Sequence, residues 1–153
     1  MRVLGIDYGR QRLGLALSDE GAVLASPLPL HTRRRDPDAD LRDLTKLFER
    51  KQVSRAVVGL PLHMDGSAGE MAAEASAFAG RLSAATGVPV DLLDERLTTV
   101  EADRVLREGN VPRARRGALR DGLAAVQILQ CYLDRSGTSS GSPRRRGDPP
   151  TDA

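Results

Sequence analysis

The order of strand-like and helix-like segments restricts the fold of this chain more than any other feature of its sequence. Three strand-like segments come first, beginning with Arg2–Asp7, which is apolar between its ends. In the second, Leu13, Leu15 and Leu17 alternate with small residues, the period-two pattern of a half-buried strand. The third lies within residues 22–30. Because the connections are short, we expect these strands to form an antiparallel meander.

Helix-like and strand-like segments alternate along the rest of the chain. The first helix is predicted to begin after Asp36, a suitable N-cap that proline follows. The later segments are strands over 55–60 and 88–93, helices over 68–86 and 117–133, and a helix that opens near Thr98. Strands separated by helices lie parallel in a shared sheet. The sequence therefore predicts an α/β domain: a mixed five-stranded sheet, three antiparallel strands then two parallel ones, with helices on both faces.

Length and composition fit one folded domain with a polar tail. The chain has 153 residues, of which 40% are hydrophobic, enough for one core. Residues 136–153 are rich in Gly, Ser and Pro, so we expect a folded domain over residues 1–135 and a disordered tail. No apolar run is long enough for a membrane span or a signal peptide, and the single cysteine, Cys131, excludes an internal disulfide. We therefore expect a cytoplasmic protein without a membrane partner.

The basic residues are almost all arginines, although this bias alone decides little. The formal net charge is +2, and of 23 basic residues only Lys46 and Lys51 are lysines. Arginine offers a planar fork that matches phosphate oxygens. GC-rich codons would produce the same bias, so both explanations stay open.

Three carboxylates stand where the predicted fold would bury a charge. Asp7 ends the first strand, Glu95 directly follows the last strand, and Asp121 lies in a helix that is apolar nearly all round. A buried charge without a partner is strongly unfavourable. Carboxylates crowded in one site raise each other's pKa unless a cation neutralises them. Hard divalent cations such as Mg²⁺ and Mn²⁺ prefer oxygen ligands of this kind.

Each carboxylate taken singly could have a local role instead. Asp7 could cap the turn at Gly9, and Glu95 could pair with Arg96. Asp121 could pair with Arg116 or Arg120. These local roles become harder to sustain for three such residues together, so the divalent metal site is the simplest interpretation.

Four motifs resemble those of a known family. They are GIDYG at 5–9, VGLPLHMDG at 58–66, DERLTTVEA at 94–102 and DGLAAVQILQ at 121–130. In this order, and over nearly the whole domain, they resemble the YqgF/RuvX family. The resemblance implies the ribonuclease H-like fold and activity as a Holliday junction resolvase, or as a nuclease that matures the 5′ end of precursor 16S ribosomal RNA. It also implies that Asp7, Glu95 and Asp121 are the catalytic, metal-binding carboxylates.

The expected cofactor is Mg²⁺ or Mn²⁺, as two ions roughly 4 Å apart that supply a water of lowered pKa and stabilise the departing 3′ oxygen. The cut would leave 5′-phosphate and 3′-hydroxyl ends. The sequence departs from the family pattern at His63, where Asn is common, and at Gly122, where Lys is frequent. Both departures concern substrate contacts more than the chemistry.

A basic segment that precedes the third carboxylate is the main candidate for binding nucleic acid. Its arginines outnumber its single acid, Glu108, and are Arg107, Arg113, Arg115, Arg116 and Arg120. We expect them in the connection that leads to the last helix, where they would anchor phosphates, although a solvated charge run is the alternative. Arg10 is a weaker candidate, and Arg33–Arg35 could be either a substrate contact or plain surface. With so few aromatic residues, we expect recognition of shape and backbone.

Two other classes of protein compete with the nuclease. Actin-like ATPases also begin with an Asp- and Gly-containing phosphate loop, but they need two such domains around the nucleotide. A nucleic-acid-binding module that lost its activity is the second alternative, against which the presence of all three carboxylates argues. Branched DNA and a structured ribosomal RNA precursor both remain open as partners, and a four-way junction would suit a homodimer with twofold symmetry.

Overall fold

The computed structural model describes residues 1–98 and 113–136, and it describes the side chains of the second range from residue 122 onward. A short 3₁₀ turn, Glu95–Leu97, follows the last strand. The regular elements are strands β1 (Arg2–Asp7), β2 (Arg12–Ser18), β3 (Ala25–Thr32), β4 (Val53–Leu60) and β5 (Val90–Asp94), and helices α1 (Pro37–Lys51), α2 (Glu70–Thr86) and α3 (Arg113–Ser136).

The five strands form one mixed sheet in the order β3-β2-β1-β4-β5. The first three strands pair antiparallel, and β4 lies parallel to both β1 and β5. This is the predicted arrangement, three antiparallel strands followed by two parallel ones, and it is confirmed. Since β1, β4 and β5 run in one direction, their carboxyl ends meet at one edge of the sheet.

Local signals explain where α1 and α2 begin and end. The side chain of Asp36 accepts a hydrogen bond from the amide of Asp38, which caps α1 as predicted. Gln52 closes α1 in the left-handed conformation. Gly87 closes α2 with a φ of 71°, a conformation that glycine adopts at low cost. These caps fix both helices against the same face of the sheet.

Each face of the sheet carries its own apolar core. On the first face, α1 and α2 pack through residues that include Leu44, Phe48, Phe78 and Leu82. On the second face, α3 packs through Ala124, Ala125, Ile128, Leu129 and Leu133. The prediction of helices on both faces is therefore confirmed.

The direction of α3 follows from its contacts along the sheet. Near its end, Tyr132 donates a hydrogen bond from its hydroxyl to Asp91 Oδ2 at 2.5 Å, next to the start of β5. One turn earlier, Ile128 lies against Gly59, near the end of β4. The helix therefore runs opposite to β4 and β5, and its N-terminal half lies toward the edge where those strands end.

Strand β3, an edge strand among the described strands, contains two prolines. Pro27 and Pro29 stand two residues apart in this edge strand, whose other side pairs with β2. Proline has no amide hydrogen to donate, so a strand tolerates it where the missing donor faces solvent. The edge strand thus presents fewer donors than an ordinary strand would.

The structure differs from the sequence prediction in one important boundary. The last helix begins at Arg113, four residues before the predicted start at Gly117. The predicted helix near Thr98 and the predicted tail after residue 136 lie outside the described residues. In the described part of the chain, no helix is long and apolar enough to cross a membrane.

Candidate active site

The edge at which β1, β4 and β5 end carries two buried carboxylates. Asp7 is the last residue of β1 and is only 4% exposed. Side chains alternate between the faces of a strand. Val3 packs in the α3 core and Gly5 lies under α3, so Asp7 belongs to that same face.

Glu95 reaches the same face from the turn after β5. It is also 4% exposed, and its Oε1 lies 2.7 Å from the position that a Cβ on Gly59 would occupy. The parallel register of β1 and β4 pairs Ile6 with Val58, so Asp7 stands beside Gly59 one residue further on. Adjacent strands are about 4.8 Å apart. The Glu95 carboxylate therefore lies over the strand next to Asp7.

The backbone of Asp121 belongs to the same end of the molecule. Asp121 lies in α3, one helical turn before Ala125, whose carbonyl oxygen is 3.1 Å from the Cβ position of Gly5. One helical turn advances about 5.4 Å. Helix α3 runs antiparallel to β4 and β5, and therefore also to β1, which is parallel to β4. The backbone of residue 121 therefore lies one turn further than Ala125 toward the edge of the sheet at which Asp7 stands. The side chain of Asp121 lies outside the described residues.

The donors present at this edge suit a hard divalent cation. Asp7 and Glu95 offer carboxylate oxygens, the ligands that Mg²⁺ and Mn²⁺ prefer. Among the side chains that the structure describes, no group of three or more His, Cys, Asp or Glu is close enough to hold a metal ion. The third predicted ligand, Asp121, is not among those side chains. The described residues thus fit part of a metal site.

Arg96 pairs with Asp94, which corrects the local role considered for Glu95. Its Nη2 lies 2.6 Å from Asp94 Oδ2, and its Nε also donates to the same carboxylate. Hydrogen bonding from Arg96 holds the pKa of Asp94 below its usual value. Arg96 also donates from Nη1 to the carbonyl oxygen of Met64 at 3.3 Å. Arg96 therefore ties the turn after β5 to the loop after β4.

That loop, residues 61–69, contains the first departure from the family pattern. The amide of His63 donates to the carbonyl oxygen of Ser67 at 2.9 Å, and the amide of Gly66 donates to that of His63 at 2.8 Å. The ring of His63 lies against Gly69, since a Cβ there would be 2.7 Å from Nε2. His63 therefore helps to pack this loop beside the candidate site.

The predicted nucleic-acid-binding arginines are placed differently from the prediction. The structure places three of them in α3 rather than in the connection expected before Gly117, so that part of the prediction was wrong: Arg113, Arg115 and Arg116. Arg120 also lies in α3, within the predicted span of the helix. The physical reason is that arginine and alanine are good helix formers, and a single glycine at 117 does not end a helix. Arg107 lies outside the described residues. Arg10 pairs with Glu74 at 2.9 Å and with Glu70 at 3.6 Å on the surface.

Sequence reasoning missed a buried ionic network next to the site. Asp40, 1% exposed, accepts hydrogen bonds from His31, Arg33 and the amide of Arg34. The signal was present in the helical pattern, because Asp40 stands four residues before Leu44, on the apolar stripe of α1. Arg33, which the sequence left open between substrate contact and surface, is part of this network.

Comparisons with known proteins agree with the predicted resemblance. A family model described as "RuvX: Holliday junction resolvase" matches residues 1–135. A protein of Pelotomaculum thermopropionicum is 43% identical over 95% of this chain and 92% of its own length. One from Anaeromyxobacter sp. is 51% identical over 88% of this chain and 97% of its own. Both carry the name "Putative pre-16S rRNA nuclease".

Solved structures show the fold. The structure of Thermus thermophilus RuvC in complex with a Holliday junction substrate matches with a TM-score of 0.55 at 18% identity, covering 88% of this chain and 95% of that chain. A second structure of Thermus thermophilus RuvC matches with a TM-score of 0.52. At this level of identity the likeness concerns the fold alone, and the predicted ribonuclease H-like fold is confirmed.

Proposed function

Because the chain belongs to the RuvX family, we propose that it is a divalent-metal-dependent nuclease that hydrolyses phosphodiester bonds in structured nucleic acid. The observation that carries the proposal is the burial of Asp7 and Glu95 at one edge of the sheet. Two buried carboxylates at the same end of a sheet favour a cation that offsets their charge.

In the proposed site, Asp7, Glu95 and Asp121 hold Mg²⁺ or Mn²⁺. When bound, such ions supply Lewis acidity to the scissile phosphate and to a nucleophilic water. The protein's own contribution is to fix the ligands before substrate arrives. Strand pairing fixes Asp7, the 3₁₀ turn fixes Glu95, and the packing of α3 fixes the position of residue 121. Because Asp7 and Glu95 are buried, bulk water has little access to the carboxylates.

Two substrates are supported by different observations. The curated relatives, at 43–51% identity over most of both chains, carry a name that points to precursor 16S ribosomal RNA. The family model carries a description that points to four-way DNA junctions. We propose both as substrates to be tested. We favour the RNA, because the relatives whose name points to it are 43–51% identical to this chain and match it over most of their own length. A junction would call for a homodimer, which we propose only together with that substrate.

The arginines of the first two turns of α3 are proposed to bind phosphates near the site, together with Arg107 and the weaker candidate Arg10. Residues 113–120 precede Asp121 on one helix, so they extend toward the edge where the strands end. We propose the cytoplasm as the compartment, because both substrates would be encountered there.

The first prediction concerns the removal of one metal ligand. Asp7→Asn keeps the size of the side chain and removes its charge, so cleavage should fall by at least about 100-fold while nucleic-acid binding stays largely intact. The measurement is cleavage of labelled four-way junction, duplex DNA and a precursor-type RNA, each with Mn²⁺, Mg²⁺ or EDTA. Asp43→Asn, which alters a surface carboxylate paired with Arg34, is the matched control and should cleave like the wild type.

Each outcome of this assay has one meaning. Paired cuts near the junction centre that EDTA abolishes would favour the resolvase. Cleavage of the RNA alone would favour ribosomal RNA maturation. Full activity of Asp7→Asn would refute the site, and binding without metal-dependent cleavage of any substrate would favour the inactive binding module.

A further inference from the structure

The side chain of Arg33 connects the turn that follows Asp7 to the rest of the fold. Its Nη1 donates to the carbonyl oxygen of Gly9 at 3.2 Å, and its Nε donates to Asp40 Oδ2 at 3.2 Å. Its backbone amide donates to the carbonyl oxygen of Gln11 at 2.9 Å. Arg33, the residue that follows β3, therefore donates to two carbonyl groups of the turn between β1 and β2.

The same guanidinium lies over two neighbouring aromatic rings. Its central carbon lies 5.0 Å from the ring centroid of Tyr8 and 5.4 Å from that of Phe78. A guanidinium over an aromatic ring is attracted by the negative charge of the ring face. Tyr8 directly follows Asp7 in the chain, so these contacts restrain the backbone immediately after the candidate ligand.

Asp40 keeps Arg33 in this orientation. The Asp40 carboxylate accepts hydrogen bonds from His31 Nε2 at 2.9 Å and from the amide of Arg34 at 2.8 Å, in addition to the one from Arg33. The side chain of Arg33 is only 12% exposed. If Arg33 turned toward solvent, it would leave a buried carboxylate with one fewer positive partner, which is costly. The orientation is therefore set before any ligand binds.

We propose that Arg33 is a positioning residue, which fixes the turn at Tyr8 and Gly9 and thereby directs the carboxylate of Asp7 toward a divalent cation. This inference rests on the proposed function, since it takes Asp7 to be a metal ligand. In this role Arg33 does not bind phosphate. Its Nε already donates to Asp40, its Nη1 donates to Gly9, and its guanidinium lies over the ring of Tyr8. Replacing residues that orient metal ligands commonly lowers metal affinity or activity by about 10- to 100-fold.

The test compares Arg33→Gln with Arg34→Gln, the same substitution at the next residue. The side chain of Arg34 is 61% exposed and pairs with Asp43 at 2.8 Å on the surface. Titration of Mn²⁺ into each full-length protein, with free Mn²⁺ followed by electron paramagnetic resonance, measures metal affinity without nucleic acid. Arg33→Gln should bind Mn²⁺ about tenfold or more weakly than the wild type, whereas Arg34→Gln should match the wild type.

Arg33→Lys keeps the proposal testable if the glutamine variant is too unstable. Lysine keeps a charge next to Asp40, but its single ammonium lacks the fork that reaches Gly9 at the same time. We expect intermediate Mn²⁺ affinity, and a kcat that falls while KM for nucleic acid stays within about twofold of the wild type. All measurements are made well below the thermal midpoint of each variant.

Other roles of Arg33 predict different results. A purely structural role would lower the thermal midpoint and leave the Mn²⁺ affinity of the folded protein unchanged, which would overturn the inference. A role in binding phosphate would raise KM and reduce the salt dependence of nucleic-acid binding, with unchanged Mn²⁺ affinity, which would also overturn it. If Asp7→Asn itself binds Mn²⁺ like the wild type, the proposed function fails as well. If Asp7→Asn no longer binds Mn²⁺ and Arg33→Gln still does, only the inference fails.

Discussion

At the scale of single residues, the sequence indicates where charge is buried better than it indicates what the charge contacts. Asp7 and Glu95 could be selected because each stands at the end of an apolar strand, and both are buried. The burial of Asp40 could have been predicted in the same way, because Asp40 lies on the apolar stripe of α1. Its partners His31 and Arg33, however, come from the end of β3 and the residue after it. His31 and Arg33 precede Asp40 by nine and seven residues, and the connection between β3 and α1 brings them to it, which the helical pattern of α1 alone does not specify.

The Asp40 network predicts a pH-dependent contribution to stability. Burial raises the pKa of Asp40, but hydrogen bonds from the amide of Arg34, from His31 and from Arg33 lower it by more, so the pKa lies below its usual value. Such a carboxyl stabilises the folded state above the pKa of the unfolded chain, about 3.9, and this stabilisation is lost as the pH falls through the folded-state pKa. Asp40→Asn should therefore cost about 3 kcal/mol at pH 7 and less in acid.

Urea unfolding of the wild type and of Asp40→Asn at pH 7 and at pH 3 measures this difference. Asp43→Asn, on the exposed side of the same helix, is the control and should change the unfolding free energy by less than about 1 kcal/mol at both pH values. An Asp40→Asn deficit of the same size at pH 3 as at pH 7 would contradict the assigned network.

At the scale of elements, two glycines allow α3 to approach the sheet closely. A Cβ on Gly5 would lie 2.6 Å from the Cβ of Leu129, and one on Gly59 would lie 2.5 Å from Cδ1 of Ile128. The sequence predicted where α1 begins and where α2 ends, because the caps Asp36 and Gly87 are local signals. It did not predict the close packing of α3, because the distance between a helix and a sheet depends on residues far apart in the chain.

Gly59→Ala should disturb the site directly. The added methyl group would meet Glu95 Oε1 at 2.7 Å as well as Ile128, so either the carboxylate or the helix must move. We expect a decrease of about 1–3 kcal/mol in the unfolding free energy and a fall of at least about tenfold in kcat at temperatures where the variant is folded. Cleavage kinetics and urea unfolding together measure both effects.

Gly80→Ala, inside α2, is the matched control. No heavy atom of the described residues lies within 4 Å of the position that its Cβ would take. Alanine in place of glycine inside a helix stabilises by about 0.5–1 kcal/mol. The control should therefore be slightly more stable and cleave normally, and equal damage from both substitutions would contradict the packing argument for Gly59.

At the scale of the whole molecule, the chain collects its candidate chemistry at one edge, and the helix that leads to that edge begins with four arginines in its first two turns. The order of segments was enough to predict the topology, since crossover rules leave few alternatives. The register of β1 with β4 and the direction of α3 were not readable, although they bring Asp7, Glu95 and residue 121 to one place. Those features depend on which apolar surfaces fit together over the whole sheet.

The placement of charge predicts how salt affects nucleic-acid binding. Replacing Arg113 and Arg116 together by Gln should weaken binding and make its dependence on salt less steep. The slope of log K against log salt should change by about 0.9 for each phosphate that the variant no longer neutralises. The matched control is Arg42→Gln with Arg50→Gln on α1, which packs on the opposite face. Filter binding across a salt series gives the slopes, and equal effects of the two pairs would place the nucleic acid elsewhere.

The prolines of β3 restrict how copies of this protein can associate. Because Pro27 and Pro29 take two amide donors out of β3, which is an edge strand among the described strands of the sheet, a strand from another molecule that paired along this margin would find an incomplete hydrogen-bonding ladder. Continuous intermolecular sheets, and the fibrils that grow from them, are disfavoured along this margin. A twofold pair of this protein is therefore not expected to join through β3, and among the described strands β5 is the other edge at which a strand of a second molecule could pair.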